Sequence, residues 1–341
     1  MQDVLIIGTG MAATALASKL AGKARVTLIE KSRGFGGRMA TRRREGFEFD
    51  HGAQFFTARS TEFKQFLAQP VERDAIQEWQ PRLTTLEAGR EPYKREWFEP
   101  HFVATPSMNS LCKESLKAVE NHVDIILGCE VGSIEKIDTG NAPCRWRVFG
   151  KQLDSTQEVL GEFDWVLSAA PSAQTEALFT NTAFNHLDRL RDAVHLPCFS
   201  LMLGFDASPK LNFDLATVKE SSVALIVANA SKPGRAASHS LLVHSDNHWA
   251  RKNFEGDRAE IQQQLIDETC SLLNLDAASI VHADLQGWRY AKTEIATEED
   301  FLLDDARQLA ACGDWCLGGR IEDAFLSGHR LGTTLAKLFG E

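Results

Sequence analysis

Two glycine-bearing stretches near the start of the chain carry residue types that can grip a phosphorylated ligand. Gly8-Thr9-Gly10-Met11-Ala12-Ala13 satisfies the pattern G-x-G-x-x-G/A. In that pattern Gly8 permits a tight turn, Gly10 lets main chain approach a pyrophosphate, and the small Ala13 lets the following helix sit close to its strand. A helix starting at Met11 and Ala12 presents free N–H groups and a positive dipole end to the phosphates. Glu30 stands twenty-two residues after Gly8, at the end of an apolar run. A carboxylate there accepts hydrogen bonds from ribose hydroxyls and repels a 2′-phosphate. Arg33-Gly34-Phe35-Gly36-Gly37-Arg38 adds a second glycine pair, which lets backbone pass beside a large bound cofactor while Arg38 pairs with its pyrophosphate.

These residues need a strand, a turn and a helix to hold them. Residues 4–7 read as a buried parallel strand, 11–21 as a helix with Ala13, Leu16, Ala17 and Leu20 on its packing face, and 25–30 as the next strand. Further along, 62–67 and 107–119 read as helices, 123–127 as a strand, and 131–137 with 144–149 as alternating antiparallel strands. Residues 164–169 read as a central strand ended by Pro171. Residues 196–250 hold several β-like runs, FSLMLGF, SSVALIVAN and SLLVHS, and 257–273 is a long amphipathic helix. The last forty residues return to strand, turn and helix, with Ala324, Ser327, Gly328, Leu331, Leu335 and Leu338 on one buried face. Repeats, low-complexity stretches and Pro/Gly-rich linkers are absent from the sequence, so two interleaved domains are expected rather than beads on a string.

Composition is that of an ordinary globular protein. The 341 residues are 43% hydrophobic and 25% charged, with a formal net charge of −10, which disfavours nucleic acid or an anionic membrane as partner. The opening Met-Gln-Asp runs straight into an apolar strand without a basic n-region, so no signal peptide is expected, and no apolar run reaches membrane-span length. Seven scattered cysteines without a C-x-x-C pair argue against a disulfide framework or a metal site, and fit reduced thiols in a cytoplasm. Lys232-Pro233-Gly234-Arg235 and Arg42-Arg43-Arg44 read as exposed loops, the latter near phosphate, and His244 in VHSDNHW as a core histidine rather than a catalytic one.

Glu30-Lys31-Ser32-Arg33 with Gly36-Gly37-Arg38 resembles the FAD-binding opening of the flavin amine oxidase superfamily. Asp50-His51-Gly52-Ala53-Gln54-Phe55-Phe56-Thr57-Ala58-Arg59, Trp288-Arg289-Tyr290-Ala291, Cys312-Gly313-Asp314-Trp315-Cys316 and Gly319-Arg320-Ile321-Glu322-Asp323-Ala324 narrow the likeness to its renalase-like branch. The stretch around 100–108 departs from that branch, with Ala104 and Ser107 where glycines stand in it.

The resemblance implies an α/β (α+β) fold. A Rossmann-type FAD-binding domain of the amine-oxidase/p-hydroxybenzoate-hydroxylase type would comprise 1–60, 102–172 and 291–341. It would interleave with a mixed-sheet substrate domain of 61–101 and 173–290. It implies non-covalent FAD held by Gly8, Gly10, Met11, Ala12, Ala13, Glu30, Lys31, Gly37, Arg38, Ala53, Gln54, Val131, Asp314 and Ile321, with Val131 at the adenine and Asp314 at the ribityl hydroxyls. The helix starting near Ile321 would point its dipole at the flavin. Phe55, Phe56, Thr57, Ala58, Arg59, Phe102, Trp288, Tyr290 and Trp315 would line a substrate pocket. The implied reaction oxidises 6-dihydro- or 2-dihydro-NAD(P) by hydride transfer to flavin N5, with dioxygen as acceptor giving hydrogen peroxide. No side-chain base or metal is needed for it. Oxidation of a small amine or an unsaturated substrate, and a non-catalytic flavoprotein, remain the alternatives.

Overall fold

The computed structural model describes residues 1–87, 89–94, 96–138, 144–152 and 155–340. Two six-stranded sheets organise these residues. The first has the order Leu302–Asp304, Leu309–Ala311, Trp165–Ser168, Asp3–Ile7, Arg25–Glu30, Val123–Leu127. It is parallel except for its Leu302–Asp304 edge. Its central strand, DVLII, is buried throughout its middle, as expected of an apolar run covered on both faces.

Against this sheet lie the helix Met11–Leu20 and the C-terminal helix Ile321–Leu338. Leu16, Leu20, Leu331 and Leu335 share one core cluster with sheet residues Val4, Ile6 and Leu28. The two helices approach so closely that a Cβ placed on Gly328 would lie 2.0 Å from the Ala12 carbonyl oxygen. The buried face of the C-terminal helix matches the expected one at Ser327, Gly328, Leu331 and Leu335, and adds Phe325, Leu326 and Gly332. Leu338, expected inside, is exposed.

A three-stranded antiparallel meander, Cys129–Ile137, Arg145–Gln152 and Glu158–Phe163, connects the strand Val123–Leu127 to Trp165–Ser168. The helices Ser172–Phe179 and Leu187–Asp192 follow and put Phe179 and Leu190, with Phe184 from the segment between them, into the same cluster as Trp146, Ile134 and Trp315. Residues 172–192 thus pack with the first sheet's layers, and the chain then enters the five strands of the second sheet that follow Leu83–Glu87.

The second sheet has the order Ile280–Ile295, Val194–Phe205, Ser240–Ser245, Val223–Ala228, Leu215–Lys219, Leu83–Glu87, antiparallel but for the last pair. Alternation divides its faces. Phe199, Leu201 and Leu203 join Val243 and Ile226 under the helix Arg258–Leu273, which Asp257 caps by accepting from the N–H groups of Ala259 and Glu260. The opposite face carries Cys198, Ser200 and Met202. Among the described residues no helix is long and apolar enough to cross a membrane.

Candidate functional site

A cavity of about 1620 Å³ runs from the glycine turn of the first sheet to that opposite face of the second. At the first end its wall is largely main chain. Gly8 adopts φ +109°, and Gly36 and Gly37 adopt +100° and +51°, a region where a side chain is strained. A Cβ on Gly10 would meet nothing within 4 Å, so the loop opens onto free space. Gly10 is the N-cap of Met11–Leu20 and offers no side-chain cap, which leaves the first-turn N–H groups for an anion. Glu30 borders this end and accepts from the Thr9 N–H and hydroxyl and from the Ser32 N–H at 2.8–3.2 Å, which fixes its carboxylate. Val131, with Glu130 and Gly132, lines the cavity from the meander.

Arg38 and Asp314 form a two-toothed ion pair across the middle, one contact at 2.8 Å, with Thr293 also donating to Asp314. Burial alone would raise the Asp314 carboxyl, but Arg38 holds it below its ordinary range; the Arg38 guanidinium is raised in turn by Asp314 against its own burial. Asp314, expected to serve ribityl hydroxyls, therefore already spends an edge of each oxygen on Arg38. Ile321, first residue of the C-terminal helix, faces the cavity.

Of the sequence-derived cofactor residues, Gly8, Gly10, Met11, Ala12, Glu30, Lys31, Gly37, Arg38, Ala53, Val131, Asp314 and Ile321 all border this one cavity. Ala13 does not; it is buried between helix and sheet, in keeping with its packing role. Gln54 is set behind the wall, its amide donating to the Asp50 and Gly52 carbonyls and accepting from Lys232. Trp288, Tyr290 and Trp315 border the cavity, although Trp315 is fully buried and donates to the Ala170 carbonyl.

The other expected substrate residues lie elsewhere. Phe55 packs edge-on against Trp97 and His101. Phe56 and Phe102 exchange backbone hydrogen bonds of 2.9 and 2.7 Å and join the core with Phe63. Thr57 and Ala58 do not border the cavity. Arg59 pairs with Glu99 near the surface, and its N–H donates to Glu322. The backbone exchange at Phe56 turns the segment after Ala53 into the core and away from the cavity.

A second correction concerns Lys232 and Arg235, expected in an exposed loop. Their side chains are 0% and 1% exposed. Lys232 donates to Asp50, Gln54 and Asn229, and Arg235 to Asp50 and to the Ala104 and Pro233 carbonyls. Burial would raise the Asp50 carboxyl, but the two cations and the Thr41 hydroxyl hold it well below the carboxylate range. Burial lowers Lys232 to about 8 despite Asp50 beside it. Nothing local marks KPGR as buried, because its counter-charge lies 182 residues away.

The far end of the cavity is built of side chains. Leu225, His244, Ser200 and Gln286 form one register row across the sheet, and Cys198, Asn247, Trp288 and Tyr290 surround it. His51 faces this row. Ser200 Oγ and Trp288 Nε1 both donate to the His51 carbonyl, at 2.7 and 2.8 Å, and Trp288 stacks on its ring. Arg42 reaches Asp284 and Gln286 beside it. Ser200, His51 and Gln286 escaped the sequence reading. The signal for Ser200 was present in FSLMLGF, where phenylalanines and leucines alternate with smaller or less apolar residues.

The cavity lining is charged opposite to the protein. Ten lysines and arginines border it against three carboxylates, Glu30, Glu130 and Asp314, in a chain of net charge −10. Lys31, Arg33, Arg44 and Lys292 are among the cations, and they form no ion pair with any described residue.

A family profile described as NAD(P)-binding Rossmann-like domain matches residues 6–70. Several solved structures share the fold over the whole chain. A protein assigned as a protoporphyrinogen oxidase from Exiguobacterium sp. 255-15 aligns at TM-score 0.75 and 13% identity over 99% of both chains. Cyclohexylamine oxidase from Brevibacterium oxydans IH-35A aligns at 0.73 and 12% over 100% of both. Putrescine oxidase, in a structure with putrescine bound, aligns at 0.69 and 9% over 98% of both. The chain has the amine-oxidase type of fold, a Rossmann-like domain joined to a mixed-sheet layer.

Proposed function

We propose that this chain is an FAD-dependent oxidoreductase acting on a dihydronicotinamide dinucleotide, the 6-dihydro or 2-dihydro form of NAD(P). The observation that carries the reading is the basic cavity in an acidic protein: it suits two phosphorylated molecules, a resident dinucleotide and a passing one.

The residues present fit FAD. Gly8, Gly10, Met11 and Ala12 offer main chain to a pyrophosphate, Arg38 adds a guanidinium oriented by Asp314, Glu30 takes the adenosine ribose, and Val131 the adenine. Lys31, Gly37, Ala53 and Ile321 border the same space. Cys312 and Cys316 do not border it, and burial raises both thiols, Cys316 to about 12, so neither offers a thiolate for a covalent link. Bound FAD supplies a hydride acceptor, and dioxygen takes the two electrons on to hydrogen peroxide. The protein's part is placement. Trp288 and Tyr290 flank the reacting ring, the row of Ser200 and His244 forms its floor, and Arg42, Arg44 and Lys292 attract the substrate's phosphates. The reacting ring becomes aromatic without losing a proton, so no side-chain base is required.

Anaerobic titration of the purified yellow protein with 6-dihydro-NAD tests this. Stoichiometric bleaching by 6-dihydro-NAD, and none by putrescine or cyclohexylamine, is the expected result. The second reading, an amine oxidase, is supported by the fold shared with putrescine and cyclohexylamine oxidases, and bleaching by an amine alone would establish it in place of the first. A colourless protein after gentle purification defeats both.

A further inference from the structure

A second groove, of about 580 Å³, shares no lining residue with the larger cavity. It is built where the strand Ile76–Glu78 pairs antiparallel with Phe102–Ala104, a ladder that the Trp79 N–H extends by donating to the His101 carbonyl at 2.8 Å. Its charge is opposite to that of the larger cavity. Glu78, Glu96 and Glu99 border it, and among the described residues no lysine or arginine does. Glu99 is paired with Arg59, whereas Glu78 accepts only from the Gln80 amide and Glu96 forms no ion pair with any described residue. Trp97 and Phe98 supply aromatic surface, and Phe98 is 88% exposed.

The groove also holds one prepared acceptor. His101 borders it and is only 8% exposed. Its Nδ1 lies 2.7 Å from the Glu99 carbonyl oxygen. A carbonyl only accepts, so Nδ1 carries the proton and Nε2 of the neutral ring keeps its lone pair. Trp97 lies on the ring and Phe55 meets it edge-on, which fixes its direction. Nε2 has no partner among the described residues, and unlike His51 Nδ1 and His244 Nε2 it is not cut off from solvent.

We propose that this groove is a second binding site, for the primary alkylammonium group of a small molecule. The ammonium donates to His101 Nε2, Glu78 and Glu96 balance its charge, and its alkyl chain lies on Trp97 and Phe98. Each element of the groove suits that chemistry. A cation is favoured over an aromatic face and beside unpaired carboxylates. An N–H on that cation satisfies an acceptor that the fold otherwise leaves open. A quaternary ammonium meets the first two conditions and fails the third. The volume is that of a small-molecule site. The proposal does not depend on which substrate the larger cavity takes.

The test is anaerobic calorimetric titration of the flavin-loaded protein with butylammonium at pH 8. Burial lowers His101 from its ordinary 6.5 although the Glu99 carbonyl opposes it, so the ring is neutral there, while an alkylammonium remains charged. Butylammonium is expected to bind saturably in the millimolar range. Tetramethylammonium is expected to bind about tenfold more weakly, and 1-butanol not detectably. H101F, which keeps a ring and removes the acceptor, is expected to weaken butylammonium about tenfold, and so is E78Q combined with E96Q. Flavin content is expected to stay unchanged in both. Should H101F unfold, the double glutamine variant, at exposed positions, carries the test. Three results overturn the proposal: no saturable binding of butylammonium, tetramethylammonium binding as tightly, or unchanged affinity in the folded double variant. Flavin bleaching by butylammonium, read on the same samples, reports an amine in the larger cavity, and the difference between wild type and variant scores the groove.

Discussion

Beside the glycine turn the cavity wall is largely backbone, with the Glu30 and Arg38 side chains pinned by neighbours and those of Lys31 and Arg33 unpaired among the described residues; beside the second sheet the wall is side chains, brought together by the register of Ser200 with His244 and Gln286. On the proposed reading the first kind of wall meets what all dinucleotides share, a pyrophosphate and a ribose, and a side chain at Gly8, Gly36 or Gly37 would be strained by the positive φ there. On the same reading the second kind meets what distinguishes one substrate from another. It can be altered residue by residue without undoing the fold, as long as the buried charges behind it stay matched.

Those buried charges give the largest expected effect. Asp50→Ala leaves Lys232 and Arg235 without their counter-ion and is expected to destabilise the protein by ~3–5 kcal/mol, read by urea unfolding. If the loss is under 1 kcal/mol, the second wall does not depend on the cluster. The same carboxylate sets an acid limit. Because Asp50 is lowered in the fold, its contribution is present above the unfolded carboxylate value and is lost as pH falls through the folded one.

The next effect concerns the first wall. Gly328→Ala drives a methyl group against the Ala12 carbonyl and is expected to cost ~1–3 kcal/mol and to loosen flavin retention together with it. Stability lost with flavin affinity intact would separate the helix contact from the pyrophosphate seat. Asp314→Ala frees Arg38 and is expected to reduce flavin affinity about tenfold by equilibrium dialysis. Unchanged affinity would remove Asp314 from the account.

A smaller effect reads the electrostatics of the second wall through pH. His51 and His244 in that wall, and His195 near the start of the strand Val194–Phe205 outside the cavity lining, have ordinary values of 6.5 and lie at about 4 in the fold. The folded state therefore binds fewer protons, and stability is expected to decline as pH falls from 6.5 towards 4. H244Q should flatten that decline in a denaturant series at successive pH values; a slope equal to wild type contradicts the lowered value. Smallest of all is Arg59→Ala. Arg59 pairs with Glu99 at the surface, away from the cavity, so KM for the dinucleotide should stay within twofold. A tenfold rise would return the segment after Ala53 to the substrate site.

The elements of the first wall were legible because each is local. Gly8, Gly10 and Ala13 sit at set spacings after a strand, and Glu30 ends the next one. The structure gathers these residues where the spacing puts them. The aromatic run after Ala53 misled because a strand-like FFTAR does not say which of its faces meets the core. Phe56 pairs with Phe102, 46 residues on, and that pairing turned the segment inward. Lys232 was misread for the same reason, since the polar KPGR is indistinguishable from a surface turn until Asp50 is known to lie beside it.

The sequence by itself determined a dinucleotide seat, the alternation of strands around it, and a C-terminal helix aimed at the same place, because hydrophobic period, glycine conformation and helix caps act over a few residues. The tertiary structure alone decided which side chains face the second end of the cavity, that Asp50, Lys232 and Arg235 are buried together, and that Asp314 holds Arg38. Those outcomes depend on register between distant strands and on the match of buried charges, which no short stretch of chain encodes.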